Sequence, residues 1–153
     1  FRSICVDKID VDEKNVKIKM TQMTRKGVDQ IRPLNPFQIQ QTETVAGTLN
    51  ATFAETETVG NTVLDVTGAN QTVMVRGAKF SKSPKQIVCK VKGHGSFKVC
   101  IGTPDSQPVA KVSVNSNDWK NVKASIKGKV RGQQNVYFIS ENGNYQFDEW
   151  KFE

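Results

Sequence analysis

Along most of the chain apolar and polar residues alternate with a period of two, and turn-forming residues interrupt the pattern every 8 to 12 positions. Such alternation belongs to half-buried strands, because successive side chains point to opposite faces. It predicts strands at Val16–Met20, Thr72–Arg76, Ile87–Lys92 and Ser96–Ile101. Four more are predicted at Val109–Val114, Val122–Ile126, Asn135–Ile139 and Tyr145–Phe152. Turns are expected at Gly93-His94-Gly95, Pro104-Asp105-Ser106, Asn115-Ser116-Asn117-Asp118, Gly132-Gln133-Gln134 and Asn142-Gly143, where flexible or self-bonding residues cluster. Beyond one turn near Arg25–Gln30, no amphipathic helix is predicted. Many short strands with regular turns predict an all-β fold, a β-sandwich of the jelly-roll type.

The first 34 residues differ in character. Ile4–Ile9 and Val16–Met20 predict a hairpin around Asp10-Val11-Asp12-Glu13-Lys14-Asn15. That acidic tip superficially resembles a calcium loop, but it lacks the glycine and the closing glutamate such loops use. Arg32-Pro33-Leu34-Asn35-Pro36 then reads as an extended connector, since proline drives its predecessor out of helical geometry. The expected division is therefore 1–34, a hairpin left from a preceding domain, and 35–153, the sandwich. Phe1-Arg2-Ser3-Ile4 reads like the middle of a strand, so the chain is expected to be part of something longer.

Length and composition bound the rest. With 153 residues, 37% of them hydrophobic, the chain can bury a core without disulfides. No apolar run is long enough to span a membrane as a helix, so no membrane partner is expected. The net charge of +7 is uneven: residues 1–35 carry +3, 36–70 carry −4 and 71–153 carry +8. Most lysines of the last segment alternate with apolar residues, which places them on solvent-facing sides of strands. Two readings stay open there, a solvated face that resists edge-to-edge association and a patch for a polyanion. Nucleic acid is not an expected partner, because few aromatics are interleaved with the lysines to stack bases. Of Cys5, Cys89 and Cys100, none sits at metal or redox spacing. Alternation puts Cys89 and Cys100 on opposite faces, which forbids a bridge between them.

Two stretches carry a family resemblance. Arg2-Ser3-Ile4-Cys5-Val6-Asp7, the hairpin, Gly27-Val28 and Leu34-Asn35-Pro36-Phe37 resemble the closing strands of a glycoside hydrolase family 43 β-propeller of the arabinofuranosidase or xylosidase type. Downstream, Gln41-Thr42-Glu43-Thr44-Val45-Ala46, Val75-Arg76-Gly77-Ala78-Lys79-Phe80, Asn117-Asp118-Trp119 and Gln146-Phe147-Asp148-Glu149-Trp150-Lys151-Phe152 resemble, in order, the motifs of a family 6 carbohydrate-binding module. The resemblance implies a jelly roll with one sugar cleft at its loop end and a second possible site on its concave face. It implies a secreted, extracellular and monomeric module that holds xylan or arabinoxylan for a catalytic propeller. Trp119 stands at one platform position, whereas the second falls near Val66, where no aromatic occurs. Gln146 replaces the family's asparagine, and Asn144 and Tyr145 lie beside it in sequence. The resemblance also implies a structural calcium held by Glu43 and Asp148, with Gln41 in place of a glutamate.

Trp119 itself reads two ways. Counting back by twos from Ile126 puts it out of phase with the core face, as suits an exposed platform. Loops reset phase, however, so a buried anchor stays open. Catalysis is not expected from this chain, because glycoside hydrolysis needs two carboxyl groups held across the scissile bond and nothing marks such a pair. The alternative function is a structural domain that stabilises the propeller and whose sugar cleft has decayed.

Overall fold

The computed structural model describes residues 7–19, 28 and 32–153. The chain divides into two compact units, Phe1–Arg32 and Pro33–Glu153. In the first, β1 (Val11–Asp12) pairs antiparallel with β2 (Lys17–Ile18). The expected hairpin is present, but its tip is shifted to residues 13–16. Asp12 causes the shift. Its carboxylate accepts the Asn15 backbone N–H at 3.2 Å and the Asn15 side-chain amide at 3.0 Å. That local bonding closes the turn, and Val16 adopts a left-handed φ of 51° instead of opening the strand. Ile4, Cys5, Val6, Met20 and all of Arg25–Gln30 except Val28 lie outside the described residues.

The second unit contains only strands among its described elements. Leu34, on sequence part of the connector, belongs to it: Leu34 donates to the Gly77 carbonyl and accepts from Lys79 N–H. β3 (Gln40–Gln41), β4 (Gly47–Leu49), β5 (Thr52–Glu55) and β6 (Thr62–Thr67) arise from the acidic stretch where alternation predicts nothing. β7 (Thr72–Phe80) begins where predicted and runs four residues further. The remaining strands, β8 (Gln86–Ile101), β9 (Ala110–Ser125) and β10 (Gly132–Phe152), each join two segments that the sequence separates by a turn.

Those long strands are sharply bent. The first part of β10 lies between β7 and β8, and its second part lies between β8 and the pair β6 and β3. Phe138 and Trp150 would be about 40 Å apart on a straight strand, yet their ring centroids are 5.3 Å apart. β10 therefore folds back over itself, and both layers of the sandwich share it. β9 does the same, since its ends meet where Lys127 N–H donates to the Val109 carbonyl at 2.7 Å. The core between the layers is aromatic: Phe97 stacks on Phe147 at 4.9 Å, and Phe138 meets the edge of Phe147 at 5.2 Å.

Glycines and bulges make the bend. Gly93 and Gly143 have φ of 116° and 95° on facing strands, and a Cβ on either would strike the other strand's backbone. The expected Gly93-His94-Gly95 and Asn142-Gly143 turns are therefore bends within a continuous ladder. Register shifts on β10 leave Glu141 and Asp148 unpaired with β8. Each bulge resets the phase. Hence Val136 and Phe138, then Tyr145 and Phe147, then Trp150 and Phe152 all face the core. Cys89 lies in that core, while Cys100 is buried outside it, and both are free thiols.

Candidate functional site

The outward face of the second layer carries alternating polar side chains from four strands. Lys90 and Lys92 come from β8, Gln146 and Asp148 from β10, Asp65 from β6 and Trp119 from β9. A register shift on β9 sets residues 117–119 against the single residue Lys92. Trp119 is therefore an extra residue that the ladder cannot absorb. It stays half-buried and outside the core, with Lys90 Nζ 5.8 Å from its ring centroid. Asn115–Asp118, expected as a turn, is this strand bulge.

Trp119, Lys90, Lys92, Gln146 and Asp148 line a cavity of about 480 Å³ whose far wall is the loop from Glu55 to Asn61. That volume suits one or two sugar rings. An aromatic face with amides and charges around it is the chemistry that a pyranose needs: C–H groups over the ring and hydroxyls at the rim. Gln146 donates to Asp65 Oδ1 at 3.5 Å, which orients the amide.

The other expected contacts separate. Asn144 is exposed and lines a smaller depression of about 260 Å³ with Gln146, Lys92 and the backbone around Tyr145. The Tyr145 ring is turned inward. It is 4% exposed and stacks on Phe97 at 5.7 Å, and burial pushes its phenol well above the ordinary tyrosine range. The expectation that Tyr145 offers a contact surface is thus corrected, because the bulge at Glu141 puts it in phase with the core. Val66, where the resemblance expects a second platform, is a core residue at 1% exposure. The sequence reading placed Lys90 and Lys92 on a solvent face but not in a site. Their spacing of two around buried Val91 was the available signal.

Beside this cavity the Gln41–Glu43 segment is tied to the Asp148 bulge. The Asp148 bulge frees its carbonyl, which accepts both the backbone N–H and the hydroxyl of Thr42, at 2.7 and 2.6 Å. Thr42 thereby ties the Gln41–Glu43 segment to the bulge. Asp148 Oδ2 receives Lys90 Nζ at 2.7 Å, and this bond, the largest cause, raises the Lys90 pKa. Gln41 Oε1, Glu43 Oε2 and Asp148 Oδ1 are all buried with no hydrogen-bond partner. Buried acceptors left unpaired are costly, and carboxylate and amide oxygens are the ligand type that a hard cation takes, although no three His, Cys, Asp or Glu side chains gather as a metal site among the described residues.

No protein-family model and no curated protein matches the sequence. Solved structures do match in fold. A glycoside hydrolase family 43 arabinoxylan arabinofuranohydrolase from Bacillus subtilis, in complex with cellotetraose, superposes with a TM-score of 0.81 at 22% identity. The match covers 95% of this chain and 33% of that one, so this chain spans about a third of that enzyme's length. A family 6 carbohydrate-binding module from Clostridium stercorarium, in complex with cellobiose, superposes with a TM-score of 0.72 at 14% identity, covering 81% of this chain and 98% of that module. A β-1,3-glucan-binding family 6 module from Bacillus halodurans gives 0.72 at 16% identity, covering 80% and 99%. The second unit of this chain has the β-sandwich fold of family 6 carbohydrate-binding modules.

Proposed function

We propose that this chain is a non-catalytic, extracellular and monomeric module that holds a xylan-type plant cell-wall polysaccharide for the catalytic propeller of a glycoside hydrolase. The observation that carries the reading is Trp119, held half-buried by a strand bulge over a polar cavity that Gln146 shares. The ring supplies an apolar platform, and Gln146, Lys90 and Lys92 surround it with hydrogen-bonding groups. Calorimetric titration with xylohexaose tests it. Binding is expected at low and high salt alike, since a neutral sugar releases no counterions. Trp119→Ala should weaken it about tenfold, the worth of one aromatic contact. A flat titration of the unaltered chain would sink the sugar reading. That result would favour a structural role on the propeller, for which the core position of Val66 is the supporting observation.

The same reading gives the unpaired acceptor oxygens a structural calcium. Glu43 and Asp148 would supply carboxylate oxygens and Gln41 its amide carbonyl. The ion would pin the Gln41–Glu43 segment to β10. A cation that binds only the folded state stabilises it by mass action, so chelator should lower the melting temperature by several degrees, and added calcium should restore it. An identical melt in chelator, with no metal by elemental analysis, would remove the ion from the account.

A further inference from the structure

A second concavity of the second unit is larger than the one beside Trp119. It lies along β9, where the two ends of this strand converge, and has a volume of about 910 Å³. Lys98, Lys111, Lys123 and Lys127 line it against a single carboxylate, Glu141. Lys98 and Lys111 are directly opposite each other on β8 and β9. Like charges in that relation are destabilising, and a solubilising edge has no need of them. Glu141 offsets only part of the repulsion. Its carboxylate takes Lys111 Nζ at 2.8 Å, is fixed by the Ser96 hydroxyl at 3.1 Å, and is held below the ordinary glutamate range chiefly by Lys111. Lys123 approaches Glu153 at 3.7 Å, while Lys98 and Lys127 form no ion pair among the described residues.

We propose that this groove is a second carbohydrate site, one that takes uronate-bearing polysaccharide through its lysines. The lining argues for that class. No aromatic ring faces the groove, so it offers no platform for nucleic-acid bases or for the flat face of a neutral sugar. Lysine ammoniums are mobile point charges that suit carboxylates spaced along a chain, whereas a planar phosphate clamp favours arginine. Ser113, Ser125 and Gln107 add groups for sugar hydroxyls. The site shares no lining residue with the Trp119 cavity and stands or falls without it.

The test is affinity electrophoresis and calorimetry of the whole chain with polygalacturonate, beside xylohexaose and a single-stranded oligonucleotide of similar charge. Polygalacturonate should bind at low salt and lose about tenfold or more in affinity between roughly 50 and 200 mM salt, as polyanion contacts do. The double variant Lys98→Gln/Lys127→Gln should lose at least about tenfold of that affinity without any fall in melting temperature, because neither side chain is in an ion pair among the described residues and the change at Lys98 relieves its opposition to Lys111. Lys123→Gln/Lys127→Gln should repeat the loss should the first pair misfold. Trp119→Ala should leave polygalacturonate binding intact. No binding at low salt, binding untouched by either lysine pair, or its loss in Trp119→Ala would each overturn the proposal. Tighter binding of the oligonucleotide would overturn it in favour of nucleic acid.

Discussion

Two tryptophans show how much a single position on a strand decides. Trp150 is 1% exposed and wedged between Phe138 and Phe152, so it is part of the core. Trp119 is set out of register by the bulge opposite Lys92 and stays half-buried outside the core, against Lys90. Truncation should therefore act on different properties. Trp150→Ala should cost about 3–5 kcal/mol of stability through the cavity it leaves. Trp119→Ala should change denaturant unfolding little while reducing xylohexaose binding. A loss of stability for Trp119→Ala comparable to that for Trp150→Ala would mean that the ring is an anchor. The alternation of Val122, Ala124 and Ile126 suggests the outward phase of Trp119 but leaves the anchor reading open, and the bulge opposite Lys92 is what sets that phase. The inward turn of Tyr145 has a signal too, its alternation with Phe147 around Gln146, whereas the bulge at Glu141 that aligns it with Phe138 has none.

At the scale of the element, the decisive feature is the bend shared by β8, β9 and β10. Gly143 shows what it requires: its φ is 95°, and an added Cβ would meet the His94 carbonyl oxygen and Gly95 Cα across the ladder. Gly143→Ala should thus cost about 2–4 kcal/mol, backbone strain together with overpacking. Gly60→Ala is the control. Gly60 has a similar φ of 82° but open space around it, so strain alone should cost about 1–2 kcal/mol. Equal losses in denaturant melts would show that the close approach of the strands contributes nothing. This bend also explains what the sequence could and could not reveal. Alternation locates the halves of each long strand correctly, because each half has one core face. A glycine-rich interruption reads the same whether the chain reverses or only bends, and the difference lies in the partner strand. β3 to β5 leave no alternation for another reason. β3 and β4 are two and three residues long, and β5 is mostly exposed, so burial leaves little pattern in them.

At the scale of the molecule, charge is segregated by surface. The acidic loop from Glu55 faces Lys90 and Lys92 across the tryptophan cavity, while Lys98, Lys111, Lys123 and Lys127 gather in the groove with one glutamate. That arrangement supports two surfaces, one whose binding is indifferent to salt and one whose binding weakens with it. The ladder that separates them has β10 at its centre: β3, β6, β7 and β8 all pair with it. β10 is also the last strand of the sandwich to leave the ribosome. Until residues 132–152 emerge, β7 and β6 have no strand to join them to β8. Neither layer can close by halves. Synthesis at about 5–20 residues per second thus holds the apolar edges of β6, β7 and β8 open for several seconds. Folding is then a single late event and not a growing one. A nascent chain arrested before Gly132 should be cut by protease as readily as an unfolded peptide, and one carrying β10 clear of the tunnel should resist. Protection of the shorter chain would show that the earlier strands assemble alone. For a protein built this way, the final twenty or so codons of the sandwich govern its exposure to chaperones and aggregation more than all those before them.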